Sequence, residues 1–222
     1  MNSNDECFLR YDELKRLLYR AYTDFFIVQG INEKSLSIRD RNRQFTPILS
    51  HICILATQDM ALTIWKVSID NDGKANTFKQ LKTFLHQKLH LNVSEIKLTL
   101  PKELEDSIAQ LRKRFLAHND ADKSKVSDIR VELEPIENAL AELRSFLNKL
   151  CCIIGDQATP LTDEQICSLS ERTKTGISML IQGAQLIENN RGLFVLICTP
   201  FTGHPVEGVL LCGTHMSTKG NV

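Results

Sequence analysis

Pro101-Lys-Glu-Leu-Glu-Asp-Ser-Ile-Ala-Gln-Leu-Arg-Lys-Arg-Phe-Leu-Ala-His-Asn-Asp120 is the stretch on which the fold turns. Leu104, Ile108, Leu111 and Phe115 recur at spacings of four, three and four, which lines one face of a helix. Pro101 suits the start, where a missing N–H is tolerated. Glu103, Glu105 and Asp106 crowd the first turns, and Arg112, Lys113 and Arg114 sit near the end, so the charges oppose the helix dipole at both ends. The helix is predicted to end close to Asn119, and 119–130 is polar without a core pattern.

The same periodicity extends upstream. Leu14, Leu18, Ala21, Phe25 and Val28 predict a first helix over about Phe8 to Val28, widened by Tyr11, Tyr22 and Phe26. Gly30 is read as its stop. Residues 31–45, where Arg39, Arg41 and Arg43 alternate, are read as a solvated connection rather than a phosphate-binding loop. Thr46 and Pro47 open a second helix as cap and first residue. Its predicted buried line is Ile48, Ile52, Leu55, Leu62 and Ile69, with Trp65 beside it. Asp59 interrupts that line. A buried carboxylate needs a partner, so Asp59 either orients a basic side chain or lies at the helix edge. Asp70-Asn-Asp-Gly73 is a turn and lacks the later ligands of a calcium loop. A third helix is predicted from about Ala75 to Leu89, with Phe78, Leu81, Leu85 and Leu89 facing one way and Lys79 and Lys82 more outward. Residues 91–100 read as a loop or short helix.

Downstream, Ile136, Leu140, Leu143, Phe146 or Leu147, Leu150 and Ile154 predict a fifth helix over Leu133 to Ile154, ended by Gly155. Thr162 and Gln165 form a capping-box pattern that opens a sixth helix to about Glu188, weakened by Gly176 and Gly183. The last residues break this pattern with Gly192, Pro200, Gly203, Pro205, Gly208, Gly213 and Gly220. Leu193–Cys198 and Val209–Cys212 fit a short hairpin or a disordered tail. The expectation is an all-α helical bundle over 1–190 with a C-terminal extension over 191–222.

Composition bounds the function. Lys+Arg and Asp+Glu are both 27, so the formal net charge is zero and a strongly basic nucleic-acid coat is excluded. Any RNA-binding groove must be local. Of the 222 residues, 42% are hydrophobic and 24% charged, a globular balance. Seven cysteines form no secreted disulfide framework. No signal peptide is visible, and no apolar stretch is read as approaching the roughly 20 residues of a membrane span. A cytoplasmic protein without a membrane partner is expected.

His118 is the leading chemical candidate. Arg114 and His118 are four apart and share a helix face, whereas Arg112, six before His118, lies on another side. Two copies of the helix beside a two-fold axis bring Arg112 and His118 to one phosphate, as does unwinding at Ala117–Asn119. RNA carries its own nucleophile, the 2′-hydroxyl. A histidine titrating near neutrality suits proton transfer, and an arginine fork suits the charge that develops on phosphorus oxygens. The plainer reading is a histidine that stabilises the last turn of a helix. No cofactor or metal is expected. His86 and His90 are four apart without a third ligand at metal-site spacing, and Cys198, His204, Cys212 and His215 do not form two compact pairs. Cys151-Cys152 is not a CxxC motif and reads as core.

Leu111-Arg-Lys-Arg-Phe-Leu-Ala-His-Asn-Asp120 resembles the signature of HEPN helical domains, particularly their abortive-infection AbiU-type branch: an arginine, four to six residues, then histidine. Arg112 and His118 match with five between. Ala56-Thr-Gln-Asp59 through Trp65-Lys66 to Asp70 resembles the long helix preceding it in that branch. The resemblance covers roughly 10–150. It implies an HEPN-like bundle, a homodimer with the two motifs meeting across its interface, and metal-independent cleavage of single-stranded RNA, in a toxin or phage-defence setting with an inhibitory antitoxin as partner. Arg112 and His118 would be catalytic. Lys113, Arg114, Asn119, Asp120, Asp59 and Lys66 would bind substrate or support the site. The alternative it implies is a non-catalytic protein-interaction or nucleotide-binding module. Three positions depart from the common pattern. Lys66 stands where an arginine is frequent, Lys113 where Asn or Asp is, and Asp120 where some members carry a tyrosine that is modified.

Overall fold

Apolar residues at helical spacing form six helices among the described residues, 3–39, 46–69, 76–116 and 133–189 of a computed structural model. These are α1 (Ser3–Arg39), α2 (Thr46–Ile64, continued by the π-helical turn Trp65–Ile69), α3 (Phe78–Leu89), α4 (Lys102–Leu116), α5 (Leu133–Ile154) and α6 (Asp163–Asn189). The chain divides into two compact units, Met1–Ile181 and Gln182–Val222. The first is an all-α helical bundle. Of the second, the described residues are the closing turns of α6, and both segments of the expected C-terminal hairpin lie outside them.

α1 is the organising element, packing against α2, α3 and α5. Cys7, Tyr11, Leu14, Leu18, Ala21, Phe25 and Val28 are buried along it. It is longer than its sequence predicts: it runs through Gly30 to Arg39. The expected stop fails because the segment beyond Gly30 has packing of its own. Ile31 is buried with Leu49 and Ile181, and Glu33 Oε1 accepts from Lys174 Nζ at 2.7 Å. Gly30 itself lies close to Ile177.

The buried face of α2 is also not the expected one. Ile48 and Leu55 are 46% and 50% exposed, while Leu49, Ala56, Met60, Ala61, Ile64 and Val67 are buried. This helix is apolar nearly all round, so two lines compete for the core. The winning line contains no charge, and Asp59 travels with the losing one. The segment Pro47–Ile69 is long and apolar enough to cross a bilayer by length and composition, which corrects the expectation that no stretch approaches a span. Here Met60, Ile64 and Val67 are spent on the interior of the bundle.

The remaining ends follow local chemistry. Thr77 caps α3, its Oγ1 accepting from Gln80 N at 3.1 Å, so that helix begins at Phe78 rather than Ala75. It closes on His90 in the left-handed region at φ 56°, with Leu91 N donating to Leu85 O at 3.1 Å. Residues 91–100 are irregular, yet Val93, Ile96 and Leu100 enter the core and Lys82 Nζ donates to Ile96 O. In α4, Leu104 and Ile108 are buried. α5 ends at Gly155, φ 84°. Asn148 then holds the approach to α6 from both sides, donating to Leu161 O at 3.0 Å and accepting from Leu161 N at 2.8 Å. Thr162 and Gln165 make the expected capping box, at 3.1 and 3.2 Å. Phe78 and Phe146, ring centroids 5.4 Å apart, join α3 to α5 at the centre.

Candidate functional site

The motif starts on a helix that is held in place by its own apolar stripe. α4 packs against α2 and the π-helical turn, the two segments that carry Asp59 and Lys66. Arg112, Lys113 and Arg114 fall on the helical backbone of α4. The expectations for their side chains, and those for His118, Asn119 and Asp120, lie outside the described residues.

Asp59 resolves the choice left open by the sequence. It takes a basic side chain, Arg20 of α1, in a two-point contact: Nε to Oδ2 at 2.6 Å and Nη2 to Oδ1 at 2.8 Å. Such a fork is the strong geometry for an arginine and a carboxylate. Asp24, one turn after Arg20, lies beside Asp59. Its Oδ2 is buried without a hydrogen-bond partner. Burial and the neighbouring Asp59 carboxylate push the Asp24 carboxyl up to about 7, with Arg20 pulling the other way. These three side chains lie in a groove of about 490 Å³ between α1 and α2, with Ile52, Leu55 and Leu62 along it.

Lys66 is drawn to α1 too. Its Nζ lies 4.0 Å from Glu13 Oε1, both side chains about half exposed, so the pair is weak. Glu13 Oε2 also accepts from Asn76 Nδ2 at 2.9 Å. The two contacts run in register: Arg20 and Glu13 are seven apart on α1, Asp59 and Lys66 seven apart on the antiparallel partner. Asp59 and Lys66 therefore tie α2 to α1, and the groove that Asp59 borders was not legible as a site. Arg20 and Asp24 were its missed residues. Their four-residue spacing, with Arg20 just before and Asp24 within the stretch Ala21 to Phe26, is the sequence signal that marks them.

A carboxyl that exchanges its proton near neutrality is fit for acid–base work. Structural ion-pair networks perturb carboxyls in the same way, and this one joins two helices. Among the described residues no three His, Cys, Asp or Glu side chains converge as metal ligands. His86 and His90 are exposed, and Cys151 is buried while its neighbour Cys152 is exposed.

Comparison with known protein families, curated proteins and solved structures finds no match.

Proposed function

We propose that the chain is an HEPN-like endoribonuclease that works as a homodimer and needs no metal. The observation that carries this reading is the placement of the Arg112–His118 motif: it begins on α4, a helix packed against the segments bearing Asp59 and Lys66. His118 takes the proton of the RNA 2′-hydroxyl, whose oxygen attacks phosphorus. Arg112 binds the phosphoryl oxygens and stabilises the extra negative charge as it forms. The P–O5′ bond breaks and the departing oxygen gains a proton, leaving a 2′,3′-cyclic phosphate and a 5′-hydroxyl. Lys113 and Arg114 hold the strand, Asn119 and Asp120 set the geometry around His118, and Asp59 and Lys66 fix the neighbouring helix. In this reading the protein acts in the cytoplasm in a toxin or phage-defence system, with an antitoxin to restrain it.

Product analysis tests the chemistry. With EDTA present, single-stranded RNA is expected to yield cyclic or 3′-phosphate ends and 5′-hydroxyl ends, and DNA to resist because it lacks the nucleophile. Arg112→Ala is expected to abolish most of the rate, and Arg112→Lys to restore part, since charge returns without the fork. 5′-phosphate products, or cleavage that requires a divalent cation, would contradict the proposal.

A second reading, a non-catalytic interaction module, is favoured by a different observation. Ile48, Ile54 and Leu55 of α2 are exposed, and exposed apolar side chains in a cluster mark interaction surfaces. Wild-type protein inert on every RNA, with a stable partner complex, would select it.

A further inference from the structure

A second concave site lies between α1 and the start of α6, apart from the Arg20 groove. It encloses about 520 Å³, within the size range of small-molecule pockets. Three cations line it, Lys15 and Arg16 from α1 and Arg172 from α6. Arg16 is neutralised by Asp12, Nε to Oδ2 at 3.1 Å. Lys15 and Arg172 are different. Among the described residues neither makes an ion pair, yet both are anchored. Lys15 Nζ donates to Thr159 O at 2.8 Å and to Thr159 Oγ1 at 2.7 Å. Arg172 donates through Nη2 to Tyr19 Oη at 3.1 Å and through Nε to Ser168 O at 3.3 Å.

Two long cationic side chains at the surface are held by neutral acceptors, which reduces the freedom they lose on binding. Each retains donors: the third ammonium hydrogen of Lys15 and the Nη1 hydrogens of Arg172. The lining carries Lys15, Arg16 and Arg172 against Asp12 and Glu164, a formal excess of one positive charge. In a chain whose net charge is zero, that local excess is set against the whole. The Tyr19 ring supplies apolar surface in the same cavity, with the buried Leu161 behind the wall.

We infer that this cavity binds a small phosphate monoester, its phosphate held by Lys15 and Arg172 and its organic part against Tyr19. The residues involved do not overlap the Arg112–His118 motif, so the inference stands independently of the ribonuclease reading. It fails independently as well.

The test is calorimetric titration of the full chain with adenosine 5′-monophosphate, ribose 5-phosphate and adenosine. Both phosphate monoesters are expected to bind with Kd of about 1 mM or tighter and to weaken as salt rises, and adenosine is expected not to bind. Lys15→Gln and Arg172→Gln should each weaken adenosine 5′-monophosphate by roughly 10-fold, the order expected for a lost charge-assisted hydrogen bond, with the melting temperature lowered by no more than about 4 °C, the scale of one lost surface hydrogen bond. Arg172→Lys should recover part of the loss. His118→Ala should leave the titration as it is. No heat with either phosphate at 10 mM, equal binding of adenosine, or affinity that falls in His118→Ala but not in Lys15→Gln would overturn the inference.

Discussion

Asp24 is a residue whose chemistry departs from its sequence setting. Its carboxyl titrates near 7 in the folded chain because burial and Asp59 oppose its charge. In the unfolded chain it titrates in the ordinary range, near 3.8. The folded state therefore keeps a proton that the unfolded state has released, and stability falls as pH rises through that window. The contribution is whole below the lower value and gone above about 7. Asp24→Asn keeps the shape and the capacity to donate to Asp59 but cannot ionise. It is expected to flatten the pH profile, gaining about 1 kcal/mol over wild type at pH 8 relative to pH 5, well under the full linkage value because the open groove screens the charges. Urea titrations at the two pH values measure this, and parallel profiles would refute it. Asp59 was visible in the sequence as a charge on an apolar line. Its partners were not, because Arg20 lies 39 residues away and no local spacing links them.

At the scale of elements, local chemistry was legible at two helix ends and missed at a third, the Thr77 cap of α3. The Thr162–Gln165 box and the Gly155 stop both stand as the sequence has them. It misled at Gly30 and on α2, where packing outweighs propensity. Gly30 is helical rather than a terminus, and a Cβ there would meet Ile177 side-chain atoms at 3.7 Å, an ordinary contact. Gly30→Ala is accordingly expected to stabilise by about 0.5–1 kcal/mol through the lower entropy of the unfolded chain. A helix-ending glycine would give a loss instead, so the sign of the change decides. On α2, Met60 is buried and Leu55 half exposed. Met60→Ala is expected to cost about 2–5 kcal/mol and Leu55→Ala roughly 0.5 kcal/mol or less. Similar losses from both would restore the face expected from the sequence.

At the scale of the whole molecule, the all-α bundle followed from an apolar period repeated along most of the helices. The core centred on Phe25, Phe78, Phe146 and Met60 could not be assembled from that period alone, since it draws on the irregular stretch 91–100 as well. The motif is the converse case: its residues were the easiest to single out, and the chemistry proposed for them draws on parts of the molecule that one ideal helix does not bring together. Arg112 and His118 are six positions apart, on different sides of an ideal helix, and the proposed composite site across a two-fold axis predicts a dimer at micromolar concentration by sedimentation equilibrium. A strict monomer at about 100 μM would argue against a composite site. The most direct test is side-by-side cleavage of several single-stranded RNAs in EDTA by wild type and His118→Ala, with circular dichroism confirming that both are folded. The account predicts cleavage by wild type and a rate at least about 100-fold lower in the variant, the scale of a lost proton-transfer group. Equal cleavage by the two proteins would contradict it.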